Sequence, residues 1–202
     1  MAIMNINFTS RCLAMKTSVW VAYPTPTLGE MMQRKDKYDP EKRWPVAYML
    51  HGAGGDGFEW IQRADMEQLC CQYGFIAVMP DAALSCYNDT PYGAKYYTYI
   101  SEELPAMIEA TFHASTDAKD RYIMGYSLGG FGAVKIGLMN PDRYCSPVFP
   151  KPMPGSRMMF SSFTPAASAM ESVRSKKDFI EEMISPSYTV SFWLCIRMAG
   201  TP

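Results

Sequence analysis

Residues 125–129 read Gly125-Tyr126-Ser127-Leu128-Gly129. A G-x-S-x-G pentapeptide between a strand and a helix lifts its serine to the tip of a tight turn, where the hydroxyl can serve as a nucleophile. The flanks supply that context. Arg121-Tyr-Ile-Met124 is a β-prone run of buried-strand length. Gly129, Gly130, Gly132 and Ala133 are small enough for a following helix to pack tightly on a sheet, and that helix is expected to run to Asn140, where Pro141 stops it. A serine at such a tip occupies a strained backbone conformation, so its neighbours must be small. A bare pentapeptide is a weak signal, and an ordinary glycine-rich turn is the alternative.

Upstream, strands alternate with helices. Asn5–Phe8 and Thr17–Tyr23 alternate in polarity and read as an opening antiparallel pair. Pro24 to Pro40 reads as a polar connection. Pro45–Leu50 and Phe75–Met79 are continuous apolar runs of buried-strand length. The spacing predicts a helix over 61–73, with Gly74 as its stop. Ile100, Leu104, Met107, Ile108 and Phe112 fall at helical spacing, with Pro105 as an irregularity. The pattern predicts an α/β fold whose sheet is mainly parallel with antiparallel strands at its start. Residues 1–145 form the expected core.

After Cys145 the character changes. Residues 146–202 hold seven of the fifteen prolines, two of the fourteen glycines and a single aspartate. Pro147, Pro150, Pro152 and Pro154 fall where the next buried strand belongs, and proline cannot donate to a central ladder. Residues 146–202 therefore read as a divergent tail, either truncated or out of frame relative to a complete domain. A sheet that ends early leaves a hydrophobic edge, which invites self-association.

Bulk properties narrow the function. The chain has 202 residues and a formal net charge of −1, which suits one domain and gives no reason to expect nucleic acid or an anionic membrane as partner. No apolar run approaches the ~18 residues of a membrane span, and no secretory leader is evident. The six cysteines show neither a C-x-x-C pair nor zinc spacing, so no metal is expected, and reduced thiols in a cytoplasmic protein are the simplest reading. Adjacent Cys70 and Cys71 read as packing residues.

Acyl transfer needs two backbone N–H donors aimed at the developing oxyanion. One is expected from the residue after the nucleophile, Leu128. The other is expected from His51-Gly-Ala-Gly-Gly55, which follows the Pro45–Leu50 strand, with Ala53 as the donor. A turn that merely connects strand and helix is the alternative for this stretch.

Four segments now stand in order: Met49-Leu-His-Gly-Ala-Gly-Gly-Asp56 with Trp60; Tyr92-Gly93 with Tyr96-Tyr97; Glu102-Glu-Leu-Pro105; and Gly125-Tyr-Ser-Leu-Gly-Gly130. Together they resemble the esterase D-like esterase family of α/β-hydrolases, and within it the bacterial tributyrin esterases. The likeness covers about residues 1–145. It implies an α/β-hydrolase fold and hydrolysis of short-chain acyl esters through an acyl-enzyme, with a small-molecule ester as substrate and no cofactor. It implies Ser127 as nucleophile, the Ala53 and Leu128 amides as the oxyanion hole, and Tyr87 and Tyr92 near the acyl pocket. S-formylglutathione hydrolysis and feruloyl or acetyl-xylan ester hydrolysis share the mechanism. A non-catalytic binding module is the reading from another class.

The resemblance fails where a triad would be completed. Asp178-Phe179 is a faint echo of the family's acid segment, which nominates Asp178, but it lies close to Ser127 and lacks the preceding glycine. No histidine follows His113. Serine is a poor nucleophile without a neighbour to remove its proton. His51 lies near the right end of the sheet but on the wrong element, and His113 is expected at the opposite end. Lys135 and Lys151 are weaker substitutes. The expectation is an esterase impaired by the lack of a base.

Overall fold

The structure, a computed structural model, describes residues 2–33, 39 and 41–145. β1 (Ala2–Ser10) and β2 (Met15–Tyr23) form an antiparallel hairpin in register from Ala2 opposite Tyr23 to Ser10 opposite Met15. Met4, Ile6 and Phe8 face the core while Ile3, Asn5 and Asn7 face out, the period of two that half-buried strands require. The turn between the strands is anchored by Glu103, whose carboxylate accepts from Ser10 Oγ and from the Arg11 and Cys12 amides.

β3 (Val46–Leu50), β4 (Ile76–Pro80) and β5 (Arg121–Gly125) complete a five-stranded sheet of order β1-β2-β4-β3-β5. β2 pairs antiparallel with β4, whereas β3 pairs parallel with both β4 and β5. The described sheet is thus mixed, with its parallel part at the end that carries Ser127. Every residue of β3 and β4 is buried, because helices cover both faces. On one face Tyr48, Leu50, Val78 and Ile123 pack with Leu104, Ile108, Ala133 and Ile136. On the other, Ala47, Met49, Met79 and Met124 pack with Trp60, Met66 and Cys70.

The strands match the sequence reading closely; the helices correct it. Residues 24–40 are not all connection, since Leu28–Met32 is a short helix, α1. Thr27 and Glu30 form a reciprocal capping box at its start. The helix expected over 61–73 is two helices, α2 (Glu59–Arg63) and α3 (Met66–Tyr73). Asp65 breaks them apart, because its side chain accepts from the Gln68 amide and caps α3. Gly74 ends α3 in the left-handed conformation at φ 66°, as expected. The helix expected around 100–112 is α4 (Tyr96–Thr98), a π turn over Tyr99–Glu103, then α5 (Leu104–Thr111). Pro105 sits in the first turn of α5, where its missing N–H leaves no gap, and the Leu104 amide closes the π turn onto the Tyr99 carbonyl. Helix α6 (Leu128–Met139) follows β5 directly and ends at Asn140.

Parallel pairing places the site. Leu50 of β3 lies opposite Gly125 of β5. The His51–Gly55 loop and the Tyr126–Leu128 turn therefore leave the same end of adjacent strands.

Candidate active site

Ser127 joins β5 to α6 with φ 52° and ψ −121°, a conformation in which side chains carry a steric cost of ~1–3 kcal/mol. Its neighbours make that turn possible. A Cβ on Gly125 would collide with the Gly129 backbone, and a Cβ on Gly129 would collide with the Leu50 and His51 carbonyls. The first turn of α6 thus lies directly on the end of β3. Ser127 is 7% exposed, and its side chain does not cap the helix it begins. Among the described residues its hydroxyl has no hydrogen-bond partner. Leu128, the first helical residue, presents one of the amides for which a helix has no internal acceptor.

The facing loop is held from below. The Gly55 amide donates to the Gly52 carbonyl at 3.3 Å, and Gly54 takes φ 78°, so the loop folds into a tight turn with Ala53 exposed at its tip. A Cβ on Gly52 would lie 2.6 Å from the ring of Tyr126, so that residue carries the loop against the nucleophile turn. The Tyr87 hydroxyl donates to the His51 carbonyl at 2.8 Å, and the Tyr87 ring fills the space a side chain on Gly132 would need.

His51 is buried and both ring nitrogens are engaged. Nδ1 lies 2.7 Å from the Gly52 carbonyl and must donate to it, while Nε2 accepts the Ala82 amide at 2.9 Å. Asp81 Oδ1 stands 3.6 Å from Nε2. Burial alone would lower the His51 pKa, but Asp81 and the Gly52 carbonyl outweigh it and hold it above the ordinary value. Protonating Nε2 would cost the Ala82 hydrogen bond, which opposes that rise. With neither nitrogen available, His51 orders the loop rather than serving Ser127 as base.

His113 lies at the other end of the sheet. Its carbonyl accepts from the Trp44 amide just before β3, and its Nδ1 is 3.0 Å from Arg43 Nη1. Burial pulls the Lys135 pKa below the usual lysine value, but its ammonium donates to the Tyr87 carbonyl at 3.0 Å and to Asn88 Oδ1. Among the described residues no histidine or lysine is placed to deprotonate Ser127. Asp178 and Lys151 lie outside the described residues.

The two tyrosines suggested for the acyl pocket differ. Tyr87 is fully buried beneath the loop, and Tyr92 is fully exposed. Sequence reading missed Asp81 and Tyr126. Pro80-Asp81 closes a strand parallel to the one ending at His51, and that adjacency was the available signal for the Asp81–His51 contact. No cluster of three or more His, Cys, Asp or Glu suited to a metal occurs among the described residues, and no described helix is long and apolar enough to cross a membrane.

A serine on a left-handed strand-to-helix turn, facing a glycine loop at the carboxyl end of a sheet ordered this way, defines an α/β-hydrolase fold. Residues 32–159 match the family described as "Putative esterase", and the chain belongs to that family. It is 27% identical over 139 residues to an acetyl esterase of Caldicellulosiruptor saccharolyticus, covering 68% of this chain and 51% of that protein. The fluorophosphonate-binding serine hydrolase F of Staphylococcus aureus superposes with a TM-score of 0.62 at 25% identity, covering 71% of this chain and 54% of that one. A ferulic acid esterase superposes with a TM-score of 0.60 at 27% identity, covering 71% and 56%. The chain spans about half the length of these relatives.

Proposed function

We propose that this protein is a serine carboxylesterase of short-chain acyl esters in which Ser127 attacks the carbonyl and the Ala53 and Leu128 amides receive the oxyanion. The observation that carries the reading is the backbone of Ser127, strained at the turn facing the Gly52–Gly55 loop. Small acyl groups are favoured by the likeness to an acetyl esterase. A cytoplasmic setting fits the unpaired cysteines Cys12, Cys70, Cys71, Cys86 and Cys145. We further propose that turnover by this chain is slow. The sequence holds two histidines, His51 and His113, and neither is placed as a base. Loss of a triad member leaves roughly 10³–10⁴-fold catalysis over water.

The test is hydrolysis of p-nitrophenyl acetate and butyrate by the 202-residue protein beside its Ser127→Ala variant. The expected result is a Ser127-dependent rate well below the ~1–10³ s⁻¹ of ordinary enzymes. A rate inside that range would reveal a base and overturn the claim of slow turnover. Equal rates in the two proteins would overturn the assignment of Ser127. Self-association through the sheet edge that β5 forms among the described residues is a further proposal, read by light scattering against the 22.7 kDa of one chain.

A further inference from the structure

Three buried polar atoms without a hydrogen-bond partner among the described residues gather beside the Gly52–Gly55 loop: Glu59 Oε2, Trp60 Nε1 and Tyr126 Oη. Native interiors leave few such atoms, and a cluster of them at one place calls for a reason. The loop side of the cluster is Glu59. Its Oε2 lies against Gly55, where an added Cβ would have to push the flexible carboxylate aside. The other carboxylate oxygen accepts from Arg63 Nε at 2.9 Å and Nη2 at 2.5 Å. The nucleophile side is Tyr126. The Arg63 guanidinium carbon stands 5.2 Å from the centre of its ring, and Trp60 meets it edge-on at 5.4 Å. Tyr126 in turn touches Gly52 and precedes Ser127.

We propose that Glu59 and Arg63 are positioning residues that lock the oxyanion loop to the nucleophile turn, an inference that rests on the reading of Ser127 above. Ala53 lies between Gly52, which packs on the Tyr126 ring, and Gly55, which packs against the Glu59 carboxylate. Leu128 is two residues beyond Tyr126. The chain Gly55–Glu59–Arg63–Tyr126–Gly52 closes a ring around Ala53 and sets the spacing of the two amides. Donors fixed in advance act on the transition state rather than on ground-state binding, so loosening the ring lowers kcat and leaves KM nearly unchanged.

The experiment uses the full 202-residue chain with Arg63→Met, Glu59→Gln and Arg63→Lys. Hydrogen exchange is followed over residues 50–56 and 124–130, and p-nitrophenyl acetate kinetics are measured in parallel. Arg63→Met and Glu59→Gln should speed exchange in both segments together, by about tenfold, because the two are one cooperative unit. They should lower the Ser127-dependent kcat by about tenfold with KM within about twofold, less than the ~10²-fold that a full ~1 Å misplacement can cost. Arg63→Lys, which keeps the charge opposite Glu59 but loses the paired N–H contacts, should show smaller losses than Arg63→Met in both readouts. The Arg63 side chain is 44% exposed, so these variants are expected to fold. Exchange that changes only within α2, or a rise in KM at constant kcat, would overturn the proposal. A wild-type chain without Ser127-dependent hydrolysis would overturn the proposed function alone, while the exchange measurement still decides the clamp.

Discussion

The two ends of the sheet use their polar groups for opposite purposes. At the amino ends of β3 and β5, Arg121 pairs with Glu109, donates to the Arg143 carbonyl at 3.0 Å, and so ties α5 and the segment after α6 to the sheet. At the carboxyl ends the same strands lead into strain. Of the five non-glycine residues with positive φ among the described residues, four lie at this end of the sheet: Ala83, Cys86 and Tyr87 after β4, and Ser127 after β5. One end holds the fold together and the other holds a serine where an unconstrained chain would not place it. The contrast teaches that strain in this molecule marks the site, and the ion pair at the far end stabilises the scaffold against which that strain is held.

Gly129→Val breaks the comparison most severely. Any side chain there meets the Leu50 and His51 carbonyls, which are backbone and cannot rotate away. The expected loss is about 4 kcal/mol or more by urea unfolding, with esterase activity gone. Arg121→Met tests the other end. Arg121 is 7% exposed and the change strands Glu109, so about 3 kcal/mol of stability should go. Ser127-dependent hydrolysis by the folded fraction should stay unchanged. If that activity fell in step with stability at fixed folded fraction, the two ends would not be separable in the way described.

Ser127→Gly sharpens the contrast in the reverse direction. Glycine occupies φ 52° without steric cost, though it gains freedom in the unfolded chain. The net effect expected is a stabilisation of about 1 kcal/mol together with complete loss of Ser127 chemistry, read from paired melting curves and p-nitrophenyl acetate assays. A destabilised Ser127→Gly protein would show that the turn is relaxed with serine in place. Such an exchange of stability against function is what a strained nucleophile predicts.

How much of this was legible beforehand divides along the same line. The strands and the Ser127 turn were readable because their signals are local: apolar runs of strand length, and glycines at the positions where any Cβ would collide. The break at Ala64–Asp65 was missed because residues 61–73 hold no glycine or proline, so a capping aspartate there reads as an ordinary helical position. The capping box of Thr27 and Glu30 was present in the sequence but lay in a stretch read as polar connection. Asp81 and Arg63 were illegible as site residues for a different reason. Each acts through a partner far along the chain, Asp81 on the His51 ring and Arg63 on Tyr126, and no local pattern encodes that convergence. His51 shows the limit most clearly. Sequence left it as the nearest base to hand, and only the Ala82 amide on Nε2 shows why it is not one.

The smallest expected effect is a pH dependence confined to the site end. Asp81 is held below its ordinary value of 3.8, first by the His51 side chain and then by the Ala83 and Ala82 amides, against the opposing cost of burial. A carboxyl depressed in the folded state contributes stability above its unfolded pKa and loses it as pH falls through the folded value. His51 is raised above 6.5, so its share is present below that pH and is lost as pH rises through its folded value. The pair therefore stabilises most between about pH 4 and 6.5. Asp81 is 43% exposed, so solvent screening keeps the contribution under about 1 kcal/mol. Melting curves of wild type and Asp81→Asn from pH 3 to 8 should diverge in that window and converge at both sides. A constant gap up to pH 8 would mean that His51 stays neutral throughout, held so by the Ala82 amide, and that Asp81 acts only as an acceptor for the loop backbone. That outcome would turn the site end from a weak electrostatic pair into a wholly hydrogen-bonded support for the oxyanion loop.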